Sequence, residues 1–69
     1  MGDPRLASRL KEARQAAGLT QAELAEKAGV SRKTVNTVEN GVFIPSTILA
    51  LSLARALGVT VEELFWLAD

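Results

Sequence analysis

Arg32, Lys33, Asn36, Thr37 and Asn40 follow one another at intervals of one, three, one and three residues, the spacing that aligns side chains on one face of an α-helix. All five carry hydrogen-bond donors; none is acidic and none is large and apolar. Val35 and Val38 supply the opposite, apolar side. Such a row can make directed hydrogen bonds to a flat surface rich in acceptors. Arg and Lys match O6 and N7 of guanine, Asn matches N6 and N7 of adenine, and Thr can meet the methyl group of thymine. A merely solvated helix face would account for the same composition, and what precedes the row decides between the two.

What precedes it is a second helix. Leu24, Ala25 and Ala28 fall at helical spacing, Gly29 and Val30 interrupt, and Val35 and Val38 resume the stripe. Small Ala25 permits close approach of two helices, and Gly29 suits the left-handed backbone that ends the first of them. Residues 21–40 thus read as a helix-turn-helix, whose second helix can enter the major groove of DNA.

The remaining boundaries are equally legible. Asp3 before Pro4 predicts an N-cap and first helical residue, with a helix running to about Ala17 and Leu6, Leu10, Ala13 and Ala17 on one face. Thr20–Glu23 and Thr60–Glu63 are capping boxes opening the second and fifth helices, Ser31 caps the third, and Pro45-Ser46 starts a fourth that ends at Gly58. No alternating strand pattern is evident, so the expectation is an all-α, compact five-helix domain spanning 1–69. Its core should comprise Leu6, Leu10, Leu24, Val30, Val35, Val38, Leu49, Leu53, Leu57, Val59 and Leu64. Arg14, beside the apolar stripe of the first helix, and Glu39, at the inner edge of the third, are expected to form a partly buried ion pair.

Composition narrows the function classes. The 69 residues include no His, Cys or Tyr, which removes disulfides, thiolate metal sites and the commonest general base. No carboxylate pair is spaced to suggest catalysis, so the expectation is no enzyme, no cofactor, no metal site and no small-molecule ligand. No apolar run could span a bilayer and no signal-type stretch is present, which points to a soluble cytoplasmic protein without membrane contact. Net charge is zero, yet residues 1–40 hold seven Lys/Arg against five acids, whereas residues 41–69 hold one against three. The helix-turn-helix half is therefore the positive one.

Leu10–Arg14 (LKEAR), Gly18–Ala25 (GLTQAELA), Gly29–Val35 (GVSRKTV), Val38–Gly41 (VENG), Pro45-Ser46 and Ala56–Phe65 (ALGVTVEELF) together resemble the Cro/CI-type (XRE family) helix-turn-helix transcriptional regulators in a minimal, stand-alone form. The resemblance implies a lambda-repressor-like fold and double-stranded DNA as partner. It implies base contacts from Arg32, Lys33 and Thr37 with Asn36 flanking, and phosphate contacts from Gln21, Ser31 and Asn40. It also implies a structural salt bridge at Arg14 and Glu39. The chain departs from the family pattern at Val42, where a basic residue is usual, and at Ile44, Thr47 and Ile48, where polar residues or leucine are common.

Those departures add apolar surface. Ile44, Ile48 and Leu51 form a stripe that, with Phe65, Trp66 and Leu67, is expected to make a two-fold dimer interface within 42–51 and 61–69. The alternative is that these residues cap the core, with Trp66 covering the first helix. The functional expectation is a sequence-specific regulator, a repressor binding a palindromic operator as a homodimer. A second expectation, from another class, is an antitoxin-like interaction module whose apolar face holds a protein partner while the helix-turn-helix autoregulates.

Overall fold

Helix boundaries follow the capping chemistry closely. In the computed structural model, which describes residues 6–68, the order is β1 (Leu6–Ser8), α1 (Leu10–Ala16), α2 (Gln21–Ala28), α3 (Arg32–Glu39), α4 (Thr47–Leu57), α5 (Val61–Leu64) and β2 (Phe65–Leu67). Both capping boxes form. The Glu23 N–H donates to Thr20 Oγ1 (3.0 Å) while the Thr20 N–H donates to Glu23 Oε1 (2.8 Å), and Thr60 and Glu63 repeat the exchange at 3.2 and 3.0 Å. These bonds hold both glutamate carboxyls below their ordinary pKa, first through the backbone N–H of the capping threonine and then through its hydroxyl. Ser31 and Ser46 cap α3 and α4 by accepting from Thr34 N–H and Leu49 N–H, each at 3.1 Å. Gly29 ends α2 with φ 74°, a left-handed conformation that costs a side chain roughly 1–2 kcal/mol.

The first helix is shorter than expected. Asp3 and Pro4 lie outside the described residues, but Leu6–Ser8 is a strand, and α1 begins only at Leu10. β1 pairs antiparallel with β2 in the register Leu6↔Leu67, Ala7↔Trp66 and Ser8↔Phe65. The Arg9 N–H donates to Leu64 O (2.9 Å) and the Leu10 N–H to Ser8 Oγ (3.2 Å), which closes the ladder and starts the helix. The physical reason is tertiary. Once α5 ends, the backbone groups of Phe65–Leu67 need partners, and the chain entering α1 is beside them. Local helical spacing gives way to that pairing.

Leu10, Leu24, Val35, Val38, Leu53 and Leu64 form the buried core with Ala25, Ala54 and Phe65. Leu6, Val30, Leu49, Leu57 and Val59 pack partly buried against it. Helix α2 packs on both α3 and α4. Ala25, 4% exposed, lies within this core, as its small side chain suggests.

Candidate nucleic-acid interface

Because Val35 and Val38 are buried, α3 has only one side free. Arg32, Lys33, Asn36 and Asn40 are exposed on it and Thr37 is half-buried, with its hydroxyl donating to Thr34 O at 3.0 Å. Ser31, at the turn, accepts from the Thr34 N–H and shares a 2.8 Å hydrogen bond with the Thr34 hydroxyl. Four of the five residues singled out by spacing thus belong to one helix whose other side is anchored in the core, and Asn40 caps its C-terminus. The turn from Gly29 to Ser31 fixes how that helix crosses α2.

Beneath this face lies an ion pair. Arg14 Nε donates to Glu39 Oε2 at 2.6 Å and Nη2 to Oε1 at 3.3 Å, with the two side chains 11% and 2% exposed. A third guanidinium nitrogen, Nη1, donates to Leu19 O at 2.8 Å, tying the α1–α2 turn to the same point. No buried side-chain polar atom among the described residues lacks a partner. The pair therefore meets the condition under which a buried charge is tolerated, since each group is both neutralised and hydrogen-bonded.

Three further hydrogen bonds, none of them expected from the sequence, link the polar side chains of this face. Gln21 Nε2 donates to Glu39 Oε1 (3.1 Å), Asn36 Nδ2 donates to Gln21 Oε1 (3.4 Å), and Asn40 Nδ2 donates to Asn36 Oδ1 (3.2 Å). The four-residue spacing of Asn36 and Asn40 is a usable signal for the last of these. The first two join different helices and leave no trace in spacing. Gln21, at the first position of α2, and Asn40, just past α3, bracket the exposed face.

Related proteins share this fold. A helix-turn-helix family model matches residues 10–64, from the start of α1 to the end of α5. The chain belongs to the Cro/CI-type (XRE) helix-turn-helix family. It is 39% identical over 62 residues to the uncharacterized HTH-type transcriptional regulator YgzD of Bacillus subtilis, covering 90% of this chain and 94% of that protein. It is 49% identical over 61 residues to an HTH-type regulator of Methanothermobacter thermautotrophicus, covering 87% and 88%. Among solved structures, the restriction-modification controller protein C.AhdI of Aeromonas hydrophila matches with TM-score 0.78 and 42% identity over 80% of this chain and 83% of that one. The biofilm regulator SinR, solved in complex with DNA, matches with TM-score 0.75 and 33% identity over 78% and 87%.

As a member of this family the chain is a transcriptional regulator with a helix-turn-helix DNA-binding domain. Fold and family direct it to nucleic-acid binding rather than to enzymatic chemistry. No helix among the described residues is long and apolar enough to cross a membrane.

The apolar residues expected at a dimer interface do not all share one surface in this XRE-type fold. Phe65 is only 8% exposed, because β2 pairing turns it toward the core, so it lines a groove rather than standing out from the surface. Successive residues of a strand face opposite ways, so Trp66 emerges on the other side, beside Arg9, Ala13 and Ala16 of the α1 region. Ile44 and Leu51 instead line an open groove with Leu6, Ala54 and Phe65. Ile44, Ile48, Leu51 and Leu67 are exposed, Ile48 most of all at 78%.

Proposed function

We propose that this chain is a repressor that binds a palindromic operator as a homodimer, with α3 as its reading helix. One observation carries the reading: α3 anchors Val35 and Val38 in the core and leaves outward a row of donor-bearing side chains without an acid. Arg32, Lys33, Asn36 and Thr37 contact base edges. Gln21, Ser31 and Asn40 hold the phosphates on either side, where free helix N–H groups also attract anions.

A single copy offers three or four base contacts, which is too few for useful discrimination in a genome. A second copy doubles the site and requires the reading helices to lie about 34 Å apart, hence half-sites roughly 10 bp apart. The exposed stripe Ile44, Ile48 and Leu51 supports self-association, since aliphatic side chains this accessible gain most from a partner.

Selection of binding sites from random duplexes tests the reading as a whole. It should yield a two-fold symmetric sequence with half-sites one helical turn apart. An asymmetric site bound by one chain would overturn the homodimeric reading, and failure to enrich any sequence would overturn sequence-specific binding. The antitoxin-like reading draws on the same apolar groove and predicts instead a stable complex with a different chain.

A further inference from the structure

The row of amides between α2 and α3 has a direction imposed from below. A carboxylate only accepts hydrogen bonds, and Glu39, 2% exposed at its side chain, already receives Arg14 on both oxygens. Gln21 can approach it only with its amide nitrogen, and does so at 3.1 Å. That turns Gln21 Oε1 toward Asn36, which must answer with Nδ2 (3.4 Å), leaving Asn36 Oδ1 to accept from Asn40 Nδ2 (3.2 Å). The two ends of an amide side chain are nearly the same shape, and only its partners decide which way it faces. Here one buried charge decides it for the whole row.

The consequence falls on Asn36. Its nitrogen carries two N–H groups and its oxygen two lone pairs. Gln21 and Asn40 use one of each, so one donor and one acceptor stay free. Those are the two groups that a bidentate contact with N7 and N6 of adenine takes. We propose that Glu39 is a positioning residue for base recognition: acting through Gln21, and with Asn40, it presents Asn36 pre-oriented to read an adenine. The proposal rests on α3 being the reading helix. It assigns Gln21 a role in specificity in addition to any phosphate contact.

Pre-orientation should matter only on the preferred base. Immobilising a rotamer-rich side chain lowers affinity by a factor of about two to ten. That loss falls on the complex in which Asn36 makes its bidentate contact and is absent where no contact forms. With the full chain and a duplex selected from random sequence, affinities are measured by fluorescence anisotropy for all four base pairs at each half-site position. Asn36→Ala should abolish preference at one adenine-containing pair. Gln21→Ala should lower preference at that same pair about two- to tenfold, leave preference at the other pairs unchanged, and add nothing at that pair in the Asn36→Ala background. Glu39→Gln, which keeps an acceptor for Arg14 but offers Gln21 a donor, should relax the same pair. If Glu39→Gln does not fold, Gln21→Ala alone decides.

Equal weakening of all four bases by Gln21→Ala would overturn the proposal, leaving Gln21 as a phosphate contact only. So would an Asn36→Ala variant with undiminished preference at every pair. Either result would leave DNA reading by α3 intact provided Arg32→Ala still relaxes another position, whereas a wild-type chain that enriches no sequence would refute the reading helix itself.

Discussion

Removing either partner of the Arg14–Glu39 pair should cost more than any surface substitution in this domain. Glu39→Ala leaves a guanidinium, 11% exposed, with only Leu19 O as a protein acceptor. Arg14→Ala leaves a carboxylate, 2% exposed, with only the Gln21 amide, and also frees Leu19 O. Stranding one charge of a buried pair costs about 3–5 kcal/mol, and a domain of 69 residues has roughly 3–10 kcal/mol of total stability. Each single variant should therefore be largely unfolded at 37 °C or fall sharply in urea midpoint, with Arg14→Ala the worse because its orphan is more deeply buried. The double variant Arg14→Met/Glu39→Leu should recover most of the loss, since apolar replacement of a buried pair is often neutral or better. Urea unfolding followed by far-UV circular dichroism at low and high salt measures all four proteins. Single losses below about 1 kcal/mol, or losses that vanish in high salt, would show two solvated surface charges and refute the brace.

Four further outcomes are expected. Arg32→Ala and Lys33→Ala should each cost about 1–3 kcal/mol on the selected site and little on unrelated duplexes, as titration of both DNAs would show; unchanged affinity for the selected site would remove these residues from the reading face. Ile48→Glu should shift sedimentation at tens of micromolar from dimer to monomer without lowering the melting temperature, because its side chain is 78% exposed; a monomeric wild type would end the proposed interface. Gly29→Ala should destabilise by roughly 1–2 kcal/mol through backbone strain alone, since no atom lies within 4 Å of an added Cβ, and Gly29→Asn should cost less. Glu23 and Glu63 have pKa values lowered from 4.5 by their capping threonines, so their stabilisation is complete above that value and disappears as pH falls through the folded-state pKa. Thermal midpoints should thus be level near neutrality and drop in acid, with a smaller acid drop in Glu23→Gln/Glu63→Gln, which has no carboxylate to protonate at either cap; an identical acid profile in that variant would rule out the capping boxes as its source.

What could be read in the chain and what could not divides along one physical line. Helix ends were legible where a residue satisfies backbone groups three positions away, as Thr20, Ser31, Ser46 and Thr60 do. The exposed polar face of α3 was legible because Val35 and Val38 declare the inward side of a single helix. Leu6–Ser8 was not, since its strand conformation answers to the exposed backbone of Phe65–Leu67, almost the whole chain away. The same pairing moved Phe65 into the core and turned Trp66 toward α1, splitting a run that looked like one patch. Arg14 and Glu39 were guessable as charges beside apolar stripes, but the Gln21 and Asn36 amides were not, because nothing in their types says which atom faces which neighbour. The proposed orientation follows from a carboxylate on α3 that is 2% exposed. Where function depends on an amide's direction rather than its presence, the buried group that fixes the direction belongs to the site as much as the atoms that touch DNA.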